Sequence, residues 1–174
     1  MFSSSSDSED SESAKTIKAA GTIKINGGNY NINSSDDSIH SNTDVIITNC
    51  NFTAQTGDDG IHADNALTID GGTINITQSY EGIEAGDIIV NDGKINVVSS
   101  DDGFNAAGGS DGEVEQGAFY SDSSKSLTIN GGYVLVDASG DGLDSNSSLK
   151  ITGGTILVSR PESSGNGTLD YNTS

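Results

Sequence analysis

One feature restricts this chain more than any other: it repeats. Turn residues at Gly28, Cys50, Gly72, Gly93, Gly132 and Gly154 follow one another at steps of 22, 22, 21, 39 and 22 residues. The long step is one repeat with an insertion of 17 residues. Counted from each turn, the apolar residues fall into columns. Five positions before it stand Ile23, Val45, Leu67, Ile88, Leu127 and Leu149, and three before it Ile25, Ile47, Ile69, Val90, Ile129 and Ile151. Two after it come Tyr30, Phe52, Ile74, Ile95, Val134 and Ile156; four after it come Ile32, Ala54, Ile76, Val97, Val136 and Val158. Eleven after it lie Ile39, Ile61, Ile83, Phe104 and Leu143. Between them the residues alternate with Asn, Thr, Lys or Asp, the period-two pattern of strands with one buried face. A unit this short cannot bury its own apolar face, but a stack of such units can. The sequence therefore predicts an all-β fold, a parallel β-helix of about six coils, each with two clear strands and a third short one, rising ~4.8 Å per coil.

The same register extends to both ends. Ile17 lies one repeat before Ile39, so residues 16–21 form a partial coil, and Leu169 is placed to continue the Ile39 column at the other end. Residues 1–13, Ser and acid with almost nothing to bury, are read as a solvated tail, and 14–174 as the β-helix. No signal-sequence pattern opens the chain.

Composition excludes several functions. Seven Lys and Arg against 26 Asp and Glu give a formal net charge of −19 and a pI near 4.1, which argues against binding nucleic acid through its phosphates. A single cysteine leaves no disulfide framework and no cysteine-based zinc site. No apolar run approaches the ~18 residues of a membrane span.

The acids are not scattered. The ninth position after the turn is Asp37, Asp59, Glu81, Asp102 and Asp141, preceded in three coils by a second acid, Asp36, Asp58 or Asp101. Stacked carboxylates ~4.8 Å apart repel by about 0.9 kcal/mol in water and ~3.5 kcal/mol at an effective dielectric of 20. Three positions further on stand His40, His62, Glu84, Asn105 and Asp144, a column that alternation places outside. This oxygen-rich strip suits a hard divalent cation, Ca²⁺ above all. The candidate ligands are Asp36, Asp37, Asp58, Asp59, Glu81, Glu84, Asp101, Asp102, Asp141 and Asp144. Zinc or copper would want more than two imidazoles. The competing reading is an acidic face kept for solubility. Lys15 and Lys18 fall where the acids and the histidines stand, a positive cap on a negative ladder.

His40 and His62 stack in one column as candidate ligand contacts, although two exposed neutral imidazoles would need no such role. Cys50 is expected to pack as a small buried thiol. The insertion, Ala107 to Lys125 in the fourth coil, carries Phe119 and Tyr120, adjacent aromatics able to stack on a sugar or to cover nearby coils. Leu135 and Leu157 point outward where earlier coils have Asn or Thr, so something is expected to shield them. A calcium-dependent polysaccharide lyase needs a basic residue within reach of its substrate, and no Lys or Arg falls inside the acidic strip, so no enzymatic activity is expected.

The runs TGDDGIHADNALTIDGGTINIT, SYEGIEAGDIIVNDGKINVVSSDDGFNAAGG and SGDGLDSNSSLKITGGTILVS resemble a family of secreted, clostridial-type carbohydrate-binding β-helix domains, similar in fold to pectate lyases. The ending SGNGTLDYN fits the same family. The resemblance runs from about Ala19 to Asn172. It implies a right-handed parallel β-helix, bound calcium, export to the cell surface, and binding of acidic plant polysaccharide or cellulose without catalysis. Carried over by position, its calcium candidates are Asp58, Asp59, Glu81, Glu84, Asp101 and Asp102. The fifth coil departs from it, with Gly140-Asp141 where two acids are expected. Two partners are therefore in view: an acidic polysaccharide bridged through calcium, or copies of the chain itself, stacked head to tail into an extracellular fibre through open strand edges.

Overall fold

The structure, a computed structural model, describes residues 14–107, 125–159, 161, 163 and 165–171. The expected tail at 1–13 and most of the insertion, with Phe119 and Tyr120, lie outside the described residues.

Alternation and turns produce what they predict, a β-solenoid of parallel strands with no helix among the described residues. Sixteen strands, numbered in chain order, form three columns. The first contains β1 (Ile17–Ala19), β4 (Ile39–Ser41), the start of β7 (Ile61–Ile69), the start of β9 (Ile83–Val90), β11 (Phe104–Ala106) and β14 (Leu143–Ser145). The second contains β2 (Ile23–Ile25), β5 (Asp44–Ile47), the ends of β7 and β9, β12 (Ser126–Ile129) and β15 (Ser148–Ile151). The third contains β3 (Asn29–Asn33), β6 (Asn51–Gln55), β8 (Thr73–Gln78), β10 (Lys94–Ser99), β13 (Tyr133–Ala138) and β16 (Thr155–Val158). In the middle coils the short strand runs straight into the next, so the first two columns merge into one ten-stranded sheet facing a six-stranded one.

Register follows the sequence columns rung by rung. Ile17 pairs with Ile39, Ile39 with Ile61, Ile61 with Ile83, Ile83 with Phe104, Phe104 with Leu143, and Leu143 with Leu169 by an isolated bridge. From Ile39 to Leu143 this ladder is fully buried. Each such side chain removes its apolar surface from water at roughly 25 cal/mol per Å². The insertion leaves the stack undisturbed: β12 pairs with the end of β9 as though the coil were uninterrupted.

Two glycine columns set the geometry. Gly28, Gly72, Gly93, Gly132 and Gly154 have φ between 86° and 123°, the left-handed turn glycine adopts without strain. Cys50 replaces glycine in this column without a positive φ and is buried, as expected for a packed thiol. At Gly60, Gly82, Gly103 and Gly142 a β-carbon would collide with the carbonyl of the next coil. Beside the carboxylates, then, the coils approach too closely for a side chain.

Candidate functional site: a divided carboxylate ladder

Each turn before the first column of strands places one carboxylate above the next. Much of the repulsion is absorbed by the backbone, because the acids accept amide hydrogens from the following coil. Asp37 Oδ1 accepts from the Asp59 amide at 3.1 Å, and Asp59 Oδ1 from the Glu81 amide at 3.3 Å. Asp102 Oδ1 accepts from the Asp141 amide at 2.6 Å, and Asp141 Oδ1 from the Gly167 amide. The series breaks at Glu81, whose longer side chain takes both of its oxygens, each 3.0 Å away, to Asn105 Nδ2. That break divides the ladder into two parts with different chemistry.

The first part carries its own cations. Lys15 Nζ lies 2.6 Å from Asp37 Oδ2, 3.0 Å from His40 Nδ1 and 3.7 Å from Asp36 Oδ1, and Lys18 pairs with His40 in register. The sequence column places Lys15 correctly. It does not place the histidines correctly. His40 and His62 are buried, not exposed, with rings stacked 4.6 Å apart. His62 Nδ1 lies 3.1 Å from Asp59 Oδ2 and 2.8 Å from Glu84 Oε2, and Nε2 lies 3.1 Å from Asp64 Oδ1. Alternation fails here because these residues sit at a corner, where acids from the preceding turn and the following strand fold over the rings.

Burial alone would lower the His62 pKa, but hydrogen bonds to Asp59 and Glu84 outweigh it and hold it up to about 11. These contacts favour the charged imidazolium of His62 beside Asp59, Asp64 and Glu84. Burial pushes Asp59 up to about 7, partly offset by His62 and reinforced by Glu84 and Asp37. Burial also raises Glu81 to about 8, with Glu84 adding to it and the Asn105 hydrogen bond opposing it. Asp36, Asp37 and Asp58 also converge, with ligand atoms within 4.8 Å of one another, beside Lys15.

The second part is different. Asp102, Asp141 and Asp144 bring carboxylate oxygens within 4.8 Å of one another, and no ion pair reaches any of them among the described residues. Burial pushes Asp102 up to about 6, with the Asp141 amide opposing and Asp101 adding to the shift; burial raises Asp144 as well. Two buried oxygens here have no hydrogen-bond partner, Asp144 Oδ1 and Asn105 Oδ1, on residues paired in register. A buried polar atom left unpaired costs about 1–3 kcal/mol. Beside this trio Asp101 interacts with Tyr80, whose phenol is pushed up to about 12 by that hydrogen bond and by the carboxylate charge.

Of the ten acids singled out from sequence, the structure thus gathers Asp36, Asp37, Asp58, Asp59 and Glu84 around Lys15 and the histidines, and Asp102, Asp141 and Asp144 with no cation among the described residues. Glu81 joins the two parts through Asn105. Spacing alone missed Asp64, the third carboxylate on His62, which lies beyond the repeat column.

A family model described as a carbohydrate-binding domain-containing protein matches residues 2–60. No curated protein and no solved structure matches the chain. Among the described residues, no helix is long and apolar enough to cross a membrane.

Proposed function

We infer that this chain is a non-catalytic β-helix module that binds polysaccharide, and that its turn ladder holds calcium at one place. The match of residues 2–60 to a carbohydrate-binding model supports the first part. Support for the second is the trio Asp102, Asp141 and Asp144, with the unpartnered oxygens Asn105 Oδ1 and Asp144 Oδ1 beside it. These four residues offer carboxylate and amide oxygens only, the donor set of a hard cation that accepts irregular coordination. When bound, calcium would supply positive charge to a cluster that has no lysine or histidine of its own. Asp36, Asp37, Asp58, Asp59 and Glu84 are poorer candidates, because Lys15 and His62 already place positive charge among them.

Lyase chemistry finds no support in this arrangement. Lys15 reaches the carboxylates, but its side chain is only 8% exposed and is paired with Asp37. A base held in that way is not placed to take a proton from a substrate.

Acidic plant polysaccharide and a cell-surface location are the finer reading. Affinity electrophoresis through gels cast with polygalacturonate or soluble cellulose derivatives tests it directly: retarded migration is expected in the first, and unchanged migration in every gel would overturn it. Calorimetric titration with CaCl₂ tests the cation, with Asp144→Asn expected to abolish the heat of binding. Self-assembly is a second reading, favoured by exposed Ile151 and Leu157 on the last coil. Under that reading electron microscopy in calcium would resolve filaments.

A further inference from the structure

The outer face of the six-stranded sheet holds a groove of about 440 Å³ that crosses β6, β8, β10 and β13. Over the first three coils the outward residues of this sheet are small and polar, Asn29, Asn51 and Thr73 in one column and Asn31, Thr53 and Asn75 in the next. The pattern then changes. Lys94 follows Thr73, Tyr133 follows Lys94, and Leu135 follows Asn96, each on the next rung. Tyr133 is 39% exposed. Asn96 Nδ2 donates to Asn75 Oδ1 at 2.7 Å, which fixes both amides on the groove floor and leaves Asn96 Oδ1 and Asn75 Nδ2 for another molecule.

The geometry points to this groove as the site that holds an acidic saccharide, with the Tyr133 ring under one sugar and Lys94 Nζ on the carboxylate of its neighbour. This rests on the reading above that the chain binds polysaccharide, and it moves the contact away from the acidic turns and the insertion. Three properties select the occupant. An exposed tyrosine beside Leu135 gives a flat apolar platform with a polar rim, suited to the carbon face of a pyranose. Paired amides and the Thr73 hydroxyl offer donors and acceptors at fixed spacing, the few placed polar groups of a ligand site. Among the described residues Lys94 is the only Lys or Arg that lines the groove, and it has no ion-pair partner there. On a chain of net charge −19, an unpaired ammonium beside an aromatic ring is suited to a carboxylate and gives a neutral sugar no advantage. The groove crosses four rungs, ~14 Å at ~4.8 Å per rung, and lies along the stack as a polymer chain would.

The test uses the whole chain titrated calorimetrically with an oligogalacturonate and with a cello-oligosaccharide of equal length, in calcium-saturated and in EDTA-treated buffer. Tyr133→Ala is expected to weaken both sugars about tenfold or more, with Tyr133→Phe retaining them. Lys94→Gln is expected to weaken the oligogalacturonate about tenfold and leave the cello-oligosaccharide unchanged, with Lys94→Arg restoring it. Melting temperatures of all four variants should stay within a degree or two of wild type, since both side chains are exposed surface groups. Wild-type protein that binds neither sugar overturns this site and the polysaccharide reading together. Undiminished binding by Tyr133→Ala and Lys94→Gln overturns the groove alone. Loss of binding in EDTA or in Asp144→Asn, with the groove variants unaffected, places the sugar on the turn ladder and also overturns it.

Discussion

The two parts of the carboxylate ladder occupy the same position in successive coils and solve the same problem differently. From Asp37 to Glu81 the stack encloses Lys15 and His62, so protein cations offset part of the acids' charge. From Asp102 to Asp144 no such cation is present among the described residues, and oxygens remain unpaired. A column of like charges in a solenoid is therefore not one feature. Each rung must be judged by what the neighbouring rungs bring to it.

The largest effect expected to separate the two parts is at His62. His62→Ala should destabilise the protein by about 3–5 kcal/mol, because it leaves buried carboxylates without their cation. Urea denaturation should show this loss, and calcium should restore little of it. A shift much below that range would mean the first part is less dependent on internal charge than its geometry implies. Next comes the metal. At a calcium concentration about 100 times its Kd, wild-type stability should rise by ~2.7 kcal/mol, which differential scanning fluorimetry reads as an increase of roughly 5–10 °C. An equal increase in Asp144→Asn would erase the distinction between the parts.

Acidity gives a smaller, graded effect. Glu81, raised to about 8, and Asp59, raised to about 7, hold protons in the folded chain that the unfolded chain has released. The folded state then binds more protons between the ordinary carboxyl range and about pH 8, so stability falls as pH rises through that window. His62, raised to about 11, acts in the same direction: its stabilisation is complete below its unfolded pKa and is lost as pH climbs towards 11. In calcium-free buffer the melting temperature should therefore be higher at pH 6 than at pH 9. Smallest of all, Asp144→Asn without calcium should stabilise the chain by about 1 kcal/mol or less, because one like charge leaves a partly solvated cluster.

Much of this architecture was legible because every coil repeats one instruction. The Ile39 column needed nothing beyond counting, and the same count carried Lys15 into register with Asp37 before any atom was placed. The count failed where geometry departs from strict alternation. His40 and His62 read as outward, yet they lie at a corner that Asp59, Asp64 and Glu84 close over. Merging of the short strand into β7 and β9 was also hidden, because Asp64-Asn65 and Gly86-Asp87 look like turns and are extended. Leu135 and Leu157 stood out in the sequence as apolar residues in a polar column, whereas Tyr133 and Lys94 drew no reading there. Counting from the turns at Gly93 and Gly132 already puts Lys94 and Tyr133 on adjacent rungs, but the groove they line is a property of the packed sheet.

Because each rung touches only its immediate neighbours, the chain is modular along its axis. Excising residues 61–82, one whole coil, would bring Ile39 over Ile83 and His40 over Glu84 with the strand register preserved. Such a shortened protein should still fold, with fewer rungs between its positive cap and its unbalanced acids. Length in this architecture is an adjustable quantity, but the excised coil carries His62 and Glu81, so its removal sets Asp59 and Glu84 together without the imidazolium that now lies between them.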